Sequence, residues 1–461
     1  MGVETSQSKL HFGHFKANCL NPTIASFDAA MSNIPYATGY SPSHWQHGTN
    51  AELLKSENDF RVEKLRTILL YEADFNANNK LLGRSLMTNA ETLSQLAPEQ
   101  YGSCKSLSAI DHSLNKRLTY DLLRQKHIPG VLCANDAKSC YDRIVHSFAS
   151  LAMRRVGVPE APLVSMFTTI QNVNHYVQMA YGDSERSFGG NEWTTPVHGV
   201  GQGNGASPTI WAVVSTPVLN MMRANGFGTT FCSALNGDII NFVGYSFVDD
   251  TDLCQTAQTQ GELASSVLAE MQEGLNMWEG GIRATGGAIV PEKSHWYLVD
   301  FKWRNGKWSY ALVDESPGIL RVKDSSGTEQ ILERLALSDA RQTLGVRLAP
   351  DGNNKAEVEH LTSIAVRWGD RIRTGHLPRR ASWLALTSTI MRQLIYPLSA
   401  TTLSSQECHS ILSPVLQAGL PASGISRSFP WCLVHAPLTF QGLDIPNLYT
   451  EQGILHILQI A

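Results

Sequence analysis

The chain has 461 residues, of which 43% are hydrophobic and 17% are charged, and its formal net charge is −4 at pH 7. This length favours about two to four domains or subdomains, and no stretch is apolar enough to cross a bilayer, which argues against a membrane protein. The acidic balance argues against tight, autonomous nucleic-acid binding but leaves room for a locally basic surface. Eight scattered cysteines indicate a reducing, intracellular compartment, and the sequence does not distinguish nucleus from cytoplasm.

Residues 1–130 mix polar turns with helical stretches. Positive charge concentrates just before the apolar patch Ile68-Leu69-Leu70, at Lys55, Arg61, Lys64 and Arg66. Such a cluster fits a solvated helix face as well as a surface that contacts phosphate. For Arg66, a structural ion pair and a phosphate contact therefore stay open as alternatives.

A strand and then a helix are predicted from residue 131 onward. Residues 131–135 have the apolar character of a buried strand, which ends at Asp136. Residues 141–156 place apolar side chains at helical spacing, and Gly157 and Pro159 stop the helix. The last residue of the predicted strand is therefore a carboxylate.

A glycine-rich segment and a second helix follow. Residues 199–208 are Gly-Val-Gly-Gln-Gly-Asn-Gly-Ala-Ser-Pro. Ser207-Pro208 is a typical helix start, because serine can cap a helix and proline suits its first turn. We expect this helix to run through Met222, with a kink at Pro217.

Two adjacent carboxylates, Asp249 and Asp250, follow a further apolar run. Residues 242–248 and 251–255 predict a hairpin with this pair at its tip. Paired aspartates at a turn are usually only solvated. In combination with Asp136, they could instead place carboxylates at the ends of neighbouring strands. Two such strands can hold two Mg²⁺ ions about 4 Å apart for nucleotidyl transfer, because magnesium prefers carboxylate oxygens.

The remainder is predicted to contain an amphipathic helix, small β-structure and a helical end. Residues 262–278 form the helix, and residues 296–301, 308–313 and 319–322 suggest a small β meander. Beyond residue 349 the apolar spacing becomes mostly helical.

These motifs resemble those of reverse transcriptases of the non-LTR retrotransposon type. Residues 135–142, Asn-Asp-Ala-Lys-Ser-Cys-Tyr-Asp, resemble motif A of that family. The resemblance implies that Asp136 binds metal. It also implies that Tyr141 is the steric gate that excludes a ribose 2′-hydroxyl.

Motifs B and C have their counterparts in the same order. Residues 199–208 resemble motif B, which implies that Gln202 and Gly203 lie against the templating base and the incoming nucleotide. Residues 247–250 resemble motif C, which implies that Asp249 and Asp250 are catalytic metal ligands together with the motif A aspartate.

Weaker matches add further candidates. Pro291-Glu292-Lys293 resembles motif D, whose lysine would protonate the leaving pyrophosphate, although Lys293 could equally be a plain surface lysine. Leu344-Gly345-Val346 resembles the primer-grip region. Residues 65–68 resemble a finger segment, in which Arg66 would contact the triphosphate of the nucleotide substrate.

The resemblance covers roughly residues 45–350 and implies an α+β fold of the right-hand polymerase type. We expect an N-terminal region and fingers in residues 1–130. A palm with motifs A to D, an antiparallel sheet backed by helices and a small β insertion should occupy residues 131–349, and a helical thumb or connection residues 350–461.

The function implied by the resemblance is that of an RNA-directed DNA polymerase, a nucleotidyltransferase. It implies two Mg²⁺ ions, with Mn²⁺ as a substitute, an RNA template, a DNA primer and deoxynucleoside triphosphates. An endonuclease or other domains of a larger polyprotein stay open as partners, and no membrane is expected. The sequence itself shows no endonuclease, ribonuclease H or zinc-knuckle pattern.

Three departures from the family pattern stand out. Gly201 replaces a usual proline of motif B, which should loosen that loop. Cys140 replaces a usual alanine, and Phe247 replaces the commoner tyrosine of motif C. None of the three removes a metal ligand.

Two other functions stay open. An RNA-dependent RNA polymerase would share the palm, but it usually has glycine before the paired aspartates of motif C. It also usually has a residue that accepts the 2′-hydroxyl five positions after the motif A aspartate. Val248 and Tyr141 occupy these positions here, although Asp142 follows directly. A catalytically silent relic that survives as a nucleic-acid-binding or scaffold protein stays open because of the acidic net charge and the missing endonuclease, but the three intact carboxylates argue against it. A zinc site at Cys408, His409, Cys432 and His435 is a remote alternative, because their spacing is irregular.

Overall fold

The computed structural model describes residues 8–55, 59–179, 181–190, 197–233, 236–259 and 261–460. The α-helices are α1 Phe12–Asn18, α2 Pro22–Thr38, α3 Ala73–Thr92, α4 Ala109–Lys126, α5 Cys140–Arg143, α6 His146–Arg155, α7 Glu160–Gln171, α8 Ser207–Ala224, α9 Ala264–Ala284, α10 Lys355–Thr374, α11 Arg379–Leu384, α12 Met391–Ile395, α13 Ser405–Ala422, α14 Trp431–His435 and α15 Leu448–Ile460. None of the helices in these ranges is long and apolar enough to span a membrane.

The β-strands are mostly short. They are β1 His47–Leu54, β2 Leu65–Tyr71, β3 Gly130–Asp136, β4 Asn174–Met179, β5 Gly182–Asp183, β6 Phe188–Gly189, β7 Thr229–Cys232, β8 Ile239–Phe242, β9 Gly244–Phe247, β10 Asp250–Thr256, β11 His295–Val299, β12 Phe301–Arg304, β13 Lys307–Tyr310, β14 Arg321–Lys323, β15 Glu329–Ile331, β16 Glu333–Arg334, β17 Arg341–Thr343 and β18 Val346–Leu348. The mixture of helices and strands confirms the predicted α+β class.

The chain divides into two compact units. The first contains the described parts of Met1–Leu107, Gly130–Trp296 and Pro317–Arg334. The second contains those of Ser108–Pro129, Tyr297–Ser316 and Leu335–Ala461. The limits expected for fingers, palm and thumb stay predictions, because the two units follow contact density rather than these subdomains.

A five-stranded sheet forms the centre of the first unit, with the order β16-β11-β3-β10-β9. Strand β3 is buried along its length, with Val131, Leu132 and Cys133 at most 1% exposed. It pairs antiparallel with β10, so that Asp136 lies opposite Asp250. A continuous apolar strand of this kind needs cover on both faces.

Helices α8 and α9 cover this sheet. Helix α9 buries a stripe at helical spacing: Val267, Met271, Leu275, Trp278 and Ile282. Leu263, which we expected to belong to that stripe, precedes the helix and is 70% exposed. Helix α8 begins at Ser207 as predicted, with a proline in its first turn, and Pro217 lies inside it.

A second sheet of the first unit has the order β2-β1-β4-β5, with β6 also paired to β4. Gly48 is paired with Tyr71 on β2 and with His175 on β4, and Asn50 with Leu69. Because directly paired residues point to the same side of a sheet, these side chains share one face. His175 on this face is buried, and its burial lowers the pKa of the imidazole to about 4.

The helix expected over residues 141–156 is interrupted. It consists of α5 and α6, with the extended residues Ile144 and Val145 between them. The Ile144 carbonyl accepts the Gly199 N–H at 3.0 Å, and the Val145 N–H donates to the Thr285 carbonyl at 2.9 Å. At this break, backbone hydrogen bonds within a helix are replaced by backbone hydrogen bonds to the segments around Gly199 and Thr285.

Helices packed around one apolar cluster form most of the second unit. Helix α10 buries Leu361 and Ala365, and α13 buries Ile411 and Val415 in the same cluster. A π-helical segment at Ala385–Ile390 separates α11 from α12. Single π turns inside α-helices are uncommon and cannot be predicted from apolar spacing.

The predicted β meander is instead a set of separate hairpins. In the second unit, β12 and β13 join through Asn305-Gly306, both at positive φ, and Trp303 lies opposite Trp308. In the first unit, β14 pairs with β15. The aromatic and β-branched composition identified the strands, but it did not specify their partners.

The buried imidazole of His175 should make stability depend on pH. The pKa of a histidine in an unfolded chain is about 6.5, so the unfolded state binds more protons than the folded state between that value and about 4. The free energy of unfolding should therefore fall by up to about 3 kcal/mol as pH is lowered through this range. Urea unfolding at a series of pH values measures the effect.

Two variants isolate this contribution. His175→Gln should flatten the pH dependence, because glutamine does not titrate. His409→Gln, at an exposed histidine, should leave it unchanged. An equally steep dependence in His175→Gln would contradict the assignment.

Candidate active site

Three aspartates meet at one end of the central sheet. Strand β3 ends at Asp136, which lies opposite Asp250, the first residue of β10. A two-residue turn, Val248-Asp249, joins β9 to β10. The tip of the hairpin is thus one residue earlier than predicted, and Asp250 belongs to the strand rather than to the turn.

The turn holds Val248 in an unusual conformation. Its φ is +58°, a region that β-branched residues rarely adopt. The Val248 N–H donates to the Gln100 side-chain oxygen at 3.2 Å, and the Trp211 indole donates to the Val248 carbonyl. These two bonds offset a strain that typically costs about 1–3 kcal/mol, and they fix the position of Asp249.

The site carries concentrated negative charge. Burial raises the pKa of the Asp249 carboxyl, and the negative charge of Asp136 raises it further. Lys293 Nζ lies 3.1 Å from the Asp136 carboxylate and acts in the opposite direction on the Asp249 pKa. The carboxylates of Asp136 and Asp249 are therefore close enough to repel each other.

This donor set fits a hard divalent cation. The nearby charge of Asp136 makes the charged form of Asp249 costly, and a cation between the two carboxylates would offset that cost. Mg²⁺ commonly takes one or two carboxylates and completes its shell with water and phosphate. Across the described ranges, no group of three or more His, Cys, Asp or Glu side chains is arranged to hold a metal ion. The fit thus rests on Asp136 and Asp249. The same finding gives no support to a zinc site at Cys408, His409, Cys432 and His435.

The glycine-rich loop of residues 199–203 packs against residues 141–142 of motif A, and protein donors bind each of its carbonyls. His146 Nε2 lies 2.6 Å from the Gly199 oxygen. Each of the other four carbonyls also accepts a hydrogen bond. The donors are the Tyr71 hydroxyl to Val200 at 3.3 Å, the Ser207 hydroxyl to Gly201 at 2.9 Å, the Leu69 N–H to Gln202 at 2.8 Å and the Asn76 amide to Gly203 at 3.0 Å. The loop is therefore fastened along its whole length.

Motif A binds the N–H side of the same loop. The Val200 N–H donates to the Tyr141 carbonyl at 2.7 Å. The Gln202 N–H donates to the Asp142 carboxylate and lowers its pKa, although partial burial raises that pKa overall. Asp142, which left the RNA-polymerase alternative open, is thus engaged with the loop backbone.

The expectation that Gly201 loosens this loop is not supported. Gly201 has φ +78°, which proline cannot adopt, and a Cβ there would lie 2.8 Å from the Tyr71 hydroxyl. Glycine is needed for the close approach rather than for mobility.

Several residues that support the loop were not predicted from the sequence. They are Tyr71, Asn76, His146 and Gln171, whose amide lies 3.1 Å from His146 Nδ1. Burial lowers the pKa of His146, so the ring stays neutral and can donate from one nitrogen while it accepts at the other. No local motif marks these residues, because each reaches the loop from a different element.

The structure gathers most of the predicted site residues and leaves one apart. Tyr141 is half-buried; burial raises the pKa of its hydroxyl, and the negative charge of Asp249 raises it further. The side chain of Cys140 lies close enough to Asp249 for each to shift the pKa of the other. Arg66 lies exposed on edge strand β2, opposite Leu53, and none of the described carboxylates pairs with it.

Comparison with protein families identifies a model that spans this whole region. The family described as "Reverse transcriptase (RNA-dependent DNA polymerase)" matches residues 54–347. The chain belongs to the reverse transcriptase family. Membership confirms the predicted right-hand polymerase fold and the prediction of a nucleotidyltransferase. No curated protein matches the chain.

Solved telomerase structures resemble this reverse transcriptase chain at low sequence identity. Apo telomerase from Candida tropicalis has 12% identity and a TM-score of 0.44, with 95% of this chain and 68% of that chain covered. A C-terminally truncated form of the same telomerase has 10% identity and a TM-score of 0.40, with 71% of this chain and 59% of that chain covered. Candida albicans telomerase with a fragment of telomeric RNA has 11% identity and a TM-score of 0.40, with 83% of this chain and 61% of that chain covered. The chain thus spans about three fifths of the length of the latter two.

Close packing at Gly203 gives a test of the fastened loop. A Cβ at Gly203 would lie 2.2 Å from the Leu69 carbonyl oxygen, and φ there is +136°. Gly203→Ala should therefore displace the loop and lower primer extension at least about tenfold, since 1.4 kcal/mol suffices for that factor. Steady-state extension rates measure the loss.

Gly226→Ala is the matched control. Gly226 also has positive φ, but a Cβ there would meet nothing within 4 Å. It should keep near-normal extension. Equal rates in the two variants would contradict a role for loop packing.

Proposed function

We propose that this chain is a reverse transcriptase of the non-LTR retrotransposon type, which copies RNA into DNA. The observation that carries the proposal is the register of β3 with β10, which places Asp136 opposite Asp250 and beside Asp249. Motifs A, B and C also occur in the order and spacing of that type.

Asp136 and Asp249 are the proposed ligands of two Mg²⁺ ions, and Asp250 supports them from the start of β10. When bound, the ions would lower the pKa of the primer 3′-hydroxyl and stabilise the charge on the phosphorus. The protein contributes two fixed carboxylates and a half-buried environment in which their attraction to a cation is stronger than in water.

Lys293 is the proposed general acid for the leaving pyrophosphate. Its side chain is 66% exposed, and its ammonium group is held at the active site by the ion pair with Asp136. A cation in that position can donate a proton to a phosphate oxygen within reach. The exposure leaves the side chain room to move from the aspartate to the pyrophosphate.

The remaining proposed substrate contacts lie on motif A, on the glycine-rich loop and on the sheet that contains β2. Tyr141 is the proposed steric gate at the sugar, and Gln202 and Gly203 would support the new base pair. Arg66 would contact the triphosphate, since its exposed guanidinium has no carboxylate partner within the described ranges. The proposed partners are an RNA template, a DNA primer and deoxynucleoside triphosphates, and other domains of a larger polyprotein.

Specific observations disfavour the alternative functions. An RNA polymerase would be expected to have glycine directly before the paired aspartates. This chain has Val248 there instead, although its backbone is left-handed and glycine would adopt that conformation without strain. A silent relic would be expected to lose the convergence of the carboxylates, whereas Asp136 and Asp249 interact electrostatically.

Primer extension on an RNA template with a DNA primer and Mg²⁺ tests the activity. Asp249→Asn should lower the extension rate by about two to three orders of magnitude, because the lost carboxylate contributes several kcal/mol of charge stabilisation. Asp314→Asn, at an exposed aspartate, should retain the normal rate. Retained binding without extension in the unaltered chain would favour the silent relic.

Sugar selection tests the role of Tyr141. Tyr141→Ala should lower the ratio of kcat/KM for deoxynucleotides over ribonucleotides by about ten- to a hundredfold, because the ring no longer blocks the 2′-hydroxyl. Tyr141→Phe should keep the ratio, as should Tyr449→Ala at a half-exposed tyrosine. An unchanged ratio in Tyr141→Ala would favour the RNA-polymerase alternative.

A further inference from the structure

Helix α2 presents an apolar stripe to solvent. The stripe consists of Ile24, Phe27, Met31 and Ile34, which follow one another at intervals of three and four residues and therefore lie on one side of the helix. These side chains are 42%, 64%, 52% and 47% exposed, respectively. A surface helix normally turns its apolar side towards the core, so the orientation of α2 is the reverse of the usual one.

The side of α2 that faces the protein is small and polar instead. The helix packs against α7, and its buried and half-buried residues include Ala25, Asp28, Ser32 and Pro35. The Ser32 carbonyl accepts a hydrogen bond from the Asn78 amide of α3 at 2.9 Å. Because these contacts hold the polar side inward, rotation of the helix to bury the stripe would break them.

The charge of α2 argues against two classes of partner. Among residues 22–38, Asp28 is the only charged one, and its carboxylate accepts a hydrogen bond from the Asn18 amide at 2.8 Å. Without lysine or arginine, the helix has no group that would attract the phosphates of a nucleic acid. Helices that lie on membrane surfaces are also rich in these cations. An uncharged, apolar protein surface therefore fits the stripe best.

The stripe is complementary to itself. From Ile24 to Ile34 its intervals are three, four and three residues, the same in both directions. When two copies of α2 pack antiparallel, Ile24 therefore meets Ile34 of the second copy, and Phe27 meets Met31. Alternating intervals of three and four are those of a coiled-coil seam, and a two-fold interface requires such self-complementarity.

The area of the stripe suits a weak dimer. A large apolar side chain covers on the order of 200 Å² when it is fully exposed, and each of the four is roughly half exposed. With flanking residues included, two copies would bury on the order of 1,000 Å² in total, which is at the lower limit for specific interfaces. We expect a Kd on the order of 1–100 μM for an interface of this size.

We propose that this chain forms a reversible two-fold dimer through antiparallel pairing of α2 with α2 of a second copy. The interface is the stripe of the two helices, with the polar side of each helix still bound to its own protein. The inference does not rest on the proposed function, because it uses no feature of the candidate active site.

Sedimentation equilibrium of the full chain, without nucleic acid, measures the association. The unaltered chain should pass from monomer to dimer in the micromolar range. Phe27→Asp should raise the Kd at least about a hundredfold, because it places an unpaired charge in the interface of each copy. Leu263→Asp is the matched control, since Leu263 precedes α9, is 70% exposed and should keep the normal Kd. Circular dichroism checks that both variants are folded.

Disulfide cross-linking tests the antiparallel arrangement. The background is a chain in which the exposed Cys19, Cys232 and Cys432 are replaced by serine. Ile24→Cys and Ile34→Cys combined in one chain should give covalent dimers on oxidation. Ile24→Cys alone should not, because the two copies of this position would lie about 15 Å apart along the paired helices.

The outcomes are distinct from those of the primer-extension test, because no primer, template or nucleotide is present. A chain that stays monomeric at all concentrations would overturn the proposal. So would a dimer that Phe27→Asp leaves unchanged, or one that Ile24→Cys alone cross-links. Binding of a monomeric chain to vesicles of phosphatidylcholine and phosphatidylserine, lost in Phe27→Asp, would assign the stripe to a lipid surface instead.

Discussion

The antiparallel pairing of β3 with β10 is the constraint on which the site depends. A slip of one residue would turn every side chain of a strand to the other face and separate Asp136 from Asp249 and Asp250. The buried apolar run that precedes Asp136 makes such a slip costly, because it would expose part of the core. The hydrophobic core thus fixes the positions of the charged groups at its edge.

The fastened glycine-rich loop extends that constraint to the neighbouring sheet. Motif A holds the loop through backbone and carboxylate acceptors, while Leu69 and Tyr71 of β2 hold its carbonyls. Strand β2 is therefore positioned relative to motif A through hydrogen bonds to the main chain of the loop. Within the described residues, these bonds use the backbone of the loop and do not use the Gln202 side chain.

Local patterns predicted the elements but not the connections between them. The strand before Asp136, the start of α8 at Ser207 and the hairpin at Asp249 follow from apolar runs, capping residues and turn residues, all of which act over a few positions. The break at Ile144 and the bond from His146 to Gly199 depend on partners more than fifty residues away. No pattern of neighbouring residues encodes such partners, so tertiary contacts decided the conformation there.

The saturation of the loop backbone has a dynamic consequence. Glycine-rich segments normally exchange their amide hydrogens with solvent quickly, because they open at little cost. The amides of Gly199 and Val200 are instead bound to the Ile144 and Tyr141 carbonyls, so their exchange requires motif A and the loop to separate. They belong with the slowly exchanging amides of the central sheet, and their protection reports on the integrity of the palm.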